Sequence, residues 1–416
     1  MKSSFQAVKF LRLATAALVA LALNPALGAA ECKVLHSFGS GKDGSGPFGP
    51  PLLDGRGNLY GTTATGGTGQ CSDYGCGTVY ELTPRAHGTW KESVLHSFKA
   101  GNDGAIPWSN LVSDSMGNLY GTLQGDNGLG GSGVFQLGHA SRGWDNALIY
   151  TDGAGPGLLI DGAGNLYGPM GPGEYKYYGA IGELSPSSDG WTYTALYSFC
   201  STFCPDGFNP PAPPIWDGKG NMFGTTSAGG IMGGCPNGCG VIYEMTPNGD
   251  GTWTYHVLHR FASFKNDGGE PLSGLVMDKA GNLYGATWMG GHYDQGTVFK
   301  LAYNGGRWKE TILYDFPDCN NKGCGVEGTL ALDKFGNLYG TAAGGTGNCG
   351  YTCGVVFKLS PQKNGKWKYS VVYYLTPETG GFQPFYGVIV DGKGNLFGVT
   401  SQGGKYGGGT AFEIIP

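Results

Sequence analysis

Asp278-Lys279-Ala280-Gly281-Asn282-Leu283-Tyr284-Gly285 is one copy of a phrase, D-x-x-G-N-[LM]-[YF]-G, that recurs seven times along the chain. Its Asp is Asp54, Asp114, Asp161, Asp217, Asp278, Asp333 and Asp391, so six periods separate the first from the last, with a mean length of about 56 residues. An Asp side chain accepts backbone N–H bonds across a tight turn and the Gly takes the positive-φ position, so a residue set present once per repeat reads as a turn device.

Working outward from the turn, each repeat resolves into four β-type runs. Gly274-Leu275-Val276-Met277 precedes the Asp, and Asn282-Leu283-Tyr284-Gly285 follows the turn. A Gly-rich loop then leads to Gly296-Thr297-Val298-Phe299-Lys300-Leu301, and a turn at Asn304-Gly305 to Trp308 and Thr311-Ile312-Leu313-Tyr314-Asp315-Phe316. Four short strands per repeat without helical periodicity describe a propeller blade. The expected fold is all-β: a seven-bladed β-propeller of four-stranded blades, ordered from the centre as the Asp-ending, N-L-Y-G, G-T-V-F and Trp-led runs. Lys33-Val34-Leu35-His36-Ser37-Phe38 matches a fourth run and Thr410-Ala411-Phe412-Glu413-Ile414 a third. The N-terminal strand is therefore expected to join the last blade and close the ring, leaving no open blade edge.

The composition agrees. Of 416 residues 81 are Gly and 24 Tyr, only 14% are charged and 40% are hydrophobic, which excludes a charged disordered chain and, without a G-x-y period, collagen. Residues 1–30 carry Lys2, Lys9 and Arg12 ahead of an apolar run from Leu13 to Leu23, then Gly28, Ala29 and Ala30. This is the layout of a signal peptide cleaved near Gly28 or Ala30. The expected domains are that leader (1–30) and one propeller domain of seven repeats (31–416), secreted or periplasmic and monomeric. Loss of the three leader cations, with no acid lost, moves the formal charge from −5 to −8, which argues against a nucleic-acid partner.

The strings Gly61-Thr62-Thr63 and Gly224-Thr225-Thr226, with the repeated G-N-L-Y-G and G-T-V-F runs, resemble the Gloeo/Verruco (GloVer) tandem repeats of secreted bacterial proteins of the choice-of-anchor type. The resemblance covers residues 33 to 415. It implies export and often a C-terminal sorting anchor, but no set activity. Ending at Pro416 without an anchor-like segment, the mature chain is expected to have no membrane anchor.

Ten of the eleven cysteines form five close pairs: Cys71 with Cys76, Cys200 with Cys204, Cys235 with Cys239, Cys319 with Cys324, and Cys349 with Cys353. In an exported chain they read as local disulfides, while spacings of three or four intervening residues and an oxidising compartment disfavour zinc. Cys32 is left over, free or intermolecular. All five pairs fall in loops of one face, which also collects the departures from the repeat. Glu174, Tyr175, Tyr177 and Tyr178 replace the usual loop in the third blade, and Trp288, His292, Tyr293 and Asp294 stand in the fifth. Trp108, Phe208, Phe382, Phe385 and Tyr386 lie between blades. These aromatics and acids are the candidate ligand-binding residues, able to stack on sugars or bury a peptide; capping of the blade cores is the structural alternative.

Acids also recur ahead of the innermost strand: Asp43, Asp103, Asp152, Asp206 and Asp267, with Glu327 and Glu378 in the last two repeats. They read as Asp-Gly turns first and as a cation-binding ring second. No cofactor is therefore expected, Ca2+ being the one ion such a ring would admit, and no metal ligands are assigned. His36, His96 and His259 share a repeat position with Tyr150, Tyr197 and Tyr314 and read as packing groups. The six Trp that open outer strands, Trp90, Trp144, Trp191, Trp253, Trp308 and Trp367, read as contacts between blades. No nucleophile elbow, Walker loop or H-E-x-x-H motif is present, so catalytic residues stay unassigned. The expected function is noncatalytic recognition of an extracellular glycan or protein ligand. The alternatives are a polysaccharide hydrolase or lyase using carboxylates of the same face, and a structural scaffold.

Overall fold

The computed structural model describes residues 30–416 apart from 72–73, 126–131, 142, 172–178, 200–203, 233, 264–266, 346–352 and 378–379. The chain is a seven-bladed β-propeller of four-stranded antiparallel blades. Blade 1 consists of Ser45–Leu53, Leu59–Thr65, Thr78–Pro84 and Trp90–Ser97, hydrogen-bonded in that order. Blade 7 takes Val388–Val390, Leu396–Thr400 and Thr410–Ile415 from the C-terminal end and Glu31–Ser37 from the N-terminal end. The closing pair runs from Glu31 opposite Ile415 to Ser37 opposite Thr410, as the complementary chain ends predict.

Each D-x-x-G-N turn is built by its Asp. In blade 5, Asp278 Oδ1 accepts the N–H groups of Ala280 (2.9 Å) and Asn282 (3.0 Å), and Oδ2 accepts Asn282 Nδ2 (2.7 Å) and Tyr284 Oη (2.9 Å). Gly281 takes φ of 80°, the region closed to most side chains. Partial burial opposes ionisation at Asp278, and the bonds from Asn282, Tyr284 and Ala280 outweigh it, holding the carboxyl below its ordinary range.

The second strand of each blade is buried on both faces, as in Leu283–Thr287, while the outer strand alternates. Gly285 is the small residue in that strand because the Phe299 ring of the next strand lies against it; a Cβ there would stand 2.5 Å from the ring. The Trp that opens an outer strand reaches the preceding blade's turn aromatic: Trp191 meets Tyr120 at 5.8 Å, Trp308 meets Phe223 at 6.0 Å and Trp367 meets Tyr284 at 5.9 Å. The cores accordingly sit between blades. One joins Tyr284 and Val298 of blade 5 to Leu338, Val355 and Phe357 of blade 6. Every outer pair also carries a bulge at the same place, such as Val298/Phe299, which adds local twist.

Candidate functional site

The chain that leads from one blade's outer strand into the next blade's innermost strand, in blade 1 the first half of that strand itself, builds the centre of the ring. All seven connections hold a residue at positive φ eight positions before the turn Asp, and in three the residue is neither Gly nor Asn: Ile106 (55°), Glu270 (51°) and Gln383 (60°). Such a conformation costs about 1–3 kcal/mol and persists only where surrounding bonds impose it. Those bonds are present. Ile106 donates its N–H to the Cys76 carbonyl of the previous blade (2.9 Å) and accepts from Gln124 of its own (3.0 Å). Glu270 does the same with Cys239 (2.9 Å) and Trp288 (3.1 Å). Cys76 and Cys239 are closed into disulfides with Cys71 and Cys235, so the bridged loops brace the strained turns.

The connections converge on a central cavity of about 350 Å³ to which all seven contribute. The residue six positions before the turn Asp lines it in six blades: Phe48, Trp108, Pro211, Leu272, Glu327 and Phe385. Pro156 does so in blade 3, whose connection is shorter. Tyr386 adds a further ring, 4.0 Å from that of Phe48 between centroids and 6.3 Å from that of Phe385. The lining is thus mainly apolar and aromatic, with one carboxyl and the polar side chains of Ser109, Asn110 and Thr329. Burial pushes Glu327 up, and burial reinforced by the Glu327 charge pushes the Tyr386 phenol up.

This arrangement corrects the reading of the acids. Asp43, Asp103, Asp206 and Asp267 stand eleven residues before the turn Asp and do not line the cavity. Each instead meets a ring from the preceding outer strand: His36 at 3.0 Å, His96 at 3.2 Å, Tyr197, and His259 at 3.1 Å. The histidines are therefore hydrogen-bonding as well as packing groups. Glu327 does not belong to this series; its register is that of Trp108 and Phe385, and Lys322 holds the acid's position in its blade. Glu378 lies outside the described residues.

A second carboxyl faces two of the seams. Asn146 donates to the Asp103 carbonyl (2.9 Å) and to Asp103 Oδ1 (3.1 Å), and Tyr255 donates to the Asp206 carbonyl (2.6 Å). The same strand position holds Glu92 and Glu310, where only the protonated acid can donate. Burial first, and then the neighbouring Asp43 or Asp267 charge, pushes both carboxyls up to about 7.

Among the sequence candidates, Trp108, Phe385 and Tyr386 come together in the cavity. Phe208 and Phe382 instead pair with the ends of their blades' second strands, at Ala228 and Gln402. Trp288, 42% exposed, lies against Gly325, two residues before Glu327. His292, Tyr293 and Asp294 occupy an exposed loop beyond it; Asp294 accepts the Gly290 N–H (3.0 Å), and the His292 and Tyr293 rings meet at 4.8 Å. Glu174, Tyr175, Tyr177 and Tyr178 lie outside the described residues. Phe48 and Leu272 escaped the sequence reading, although counting back six positions from each turn Asp finds them together with Glu327.

Disulfides join Cys71 to Cys76, Cys235 to Cys239 and Cys319 to Cys324. Cys204 and Cys353 are also disulfide-bonded, while Cys200 and Cys349 lie outside the described residues. Cys32 is a free, half-buried thiol pushed up to about 12 by burial. Among the described residues no helix is long and apolar enough to cross a membrane, and no group of three His, Cys, Asp or Glu is placed to hold a metal ion.

The model of the Gloeobacter/Verrucomicrobia repeat matches residues 21–234 and 210–416. The chain belongs to that family. No curated protein matches it. Among solved structures, this Gloeobacter/Verrucomicrobia repeat protein is similar to a protein from Lactobacillus plantarum at 15% identity and a TM-score of 0.47, over 86% of this chain and 100% of the other. A protein of unknown function from Dyadobacter fermentans follows at 10% and 0.41, over 93% and 98%. A luciferin-regenerating enzyme stands at 12% and 0.41, over 93% and 95%.

Proposed function

We propose that this protein is an exported, noncatalytic recognition propeller that holds a small ligand, or the end of a glycan, in its central cavity. The observation that carries the reading is the cavity itself. All seven connections meet there, strained turns braced by disulfide-closed loops frame it, and its wall combines Phe48, Trp108, Phe385 and Tyr386 with a single carboxyl. Small-molecule sites are typically of this size and kind, largely apolar with a few polar groups. Preorganised rings lose little entropy on binding, which favours recognition without movement. Most glycosidases use two carboxyl groups flanking the bond they cleave, and this wall supplies one.

Titration calorimetry with a panel of sugars, oligosaccharides and amino-acid derivatives tests the proposal, run beside an assay for reducing-end and unsaturated products. The expected result is a bound ligand, no product release, and a loss of about 1–3 kcal/mol in affinity for Phe385→Ala. Product release would replace the recognition role with the hydrolase or lyase. A ligand bound equally well by Phe385→Ala and Trp108→Ala variants would move the site away from the cavity.

A further inference from the structure

Six blades present an equivalent residue to the cavity, and in five of them it is apolar: Phe48, Trp108, Pro211, Leu272 and Phe385. The sixth presents Glu327. A carboxyl in such a wall ordinarily has a partner, because a half-buried charge without one is costly. Among the described residues, no hydrogen bond or ion pair reaches the Glu327 carboxyl, and burial alone accounts for its upward displacement. The wall contains no Lys, Arg or His. The uncompensated negative field therefore repels an anionic ligand and rewards a cationic one.

The rings point to the kind of cation. Tyr386 contributes to the same wall and feels the Glu327 charge, with Phe48 and Phe385 beside it. Aromatic faces attract organic cations through their quadrupoles, and a desolvated site strengthens that attraction. A small metal ion would gain little from such walls, since it requires several oxygen ligands.

We propose that the cavity recognises an organic ammonium group, with Glu327 as its counter-ion and the surrounding rings as its cage. This rests on the central cavity being the ligand site and adds the charge of what it takes. The group has two chemical sources, a free amino sugar or an alkylammonium alcohol, and the probes separate them.

Calorimetry of the full protein would compare glucosamine with N-acetylglucosamine, and choline with its neutral carbon isostere 3,3-dimethylbutan-1-ol. Each pair would be titrated into wild type, Glu327→Gln and Phe385→Ala. The expected result is at least tenfold tighter binding of the cation in one of the pairs. Glu327→Gln should erase that preference at an unchanged melting temperature, while Phe385→Ala weakens what binding remains. Equal binding of charged and neutral probes, weakened by Phe385→Ala, would overturn the cation assignment and leave the cavity reading standing. Cation binding indifferent to both substitutions would place the ammonium elsewhere and overturn both. Absence of binding by either cation at millimolar concentration would overturn the cation assignment, and the wider panel would still decide the cavity reading.

Discussion

The two ends of each blade obey different rules. At the D-x-x-G-N end, Asp54, Asp114, Asp161, Asp217, Asp278 and Asp333 each accept two backbone N–H groups and the Asn amide in the same geometry. At the opposite end, equivalent positions hold Phe, Trp, Pro, Leu or Glu, and a connection is shortened in blade 3. Sameness marks what every blade needs in order to fold, and difference marks where one central space is shared by seven unequal contributors. In a ring, a residue repeated in every blade can be explained blade by blade, whereas a lone acid such as Glu327 needs an explanation from the whole.

The largest expected effect lies on the uniform side. Asp278→Ala removes the acceptor of two backbone N–H groups, one amide and one phenol, leaving part-buried donors unpaired. Stability should fall by about 2–3 kcal/mol, read as a lower urea midpoint, while affinity at the cavity stays unchanged. A variant that keeps its stability but loses ligand would invert the division between the two ends.

The seams between blades allow a sharper comparison, because two of them carry buried acids pushed up to about 7 where others carry Asn or Tyr. An ordinary Glu titrates near 4.5, whereas Glu310 is pushed up to about 7 in the folded protein by burial, with the Asp267 charge adding and His259 pulling the other way. Between those values the folded state holds a proton that the unfolded state has released, so stability declines as pH rises from about 4.5 to 7. Glu92, beside Asp43 and Lys91, behaves in the same sense. Replacing both by Gln keeps a donor and removes the charge. Thermal melts should then show a double variant more stable than wild type at pH 8 by about 1–2 kcal/mol, once solvent screening is allowed for, and equal to it at pH 4. Parallel stability curves from pH 4 to 8 would mean that these seams do not titrate.

These particulars explain what the sequence revealed. Blade number follows from one octapeptide because it recurs along the whole chain and its hydrogen bonds are local, and closure follows from the complementary first and last strands. Trp108, Phe385 and Tyr386 stood out because aromatics in a Gly-rich connection break the pattern. Glu327 was legible as an acid but was placed in the wrong series, since Glu327-Gly328 imitates the Asp-Gly dipeptides that open other connections. Only the count to the turn Asp separates them. The stitching of Ile106 to Cys76 and of Glu270 to Cys239 had no sequence signal, because backbone bonds between blades depend on curvature that no single repeat encodes.

The smallest expected effect tests how far the site extends along the variable face. Trp288 and Tyr293 are 42% and 52% exposed, and neither lines the cavity, yet Trp288 rests on Gly325 of the connection that delivers Glu327. A ligand that fills the cavity and continues past Glu327 would meet Trp288 next. Exposed rings at the edge of a site exclude water and contribute less than rings at its centre. Combined Trp288→Ala and Tyr293→Ala substitutions should therefore weaken affinity by about 0.5–1 kcal/mol, below the cost of Phe385→Ala, with stability changed by no more than about 0.5 kcal/mol. Titration of the same ligand into wild type and the two variants ranks them directly. Should the outer pair cost more than Phe385→Ala, the ligand sits on the blade 5 loop, and the cavity serves as its floor.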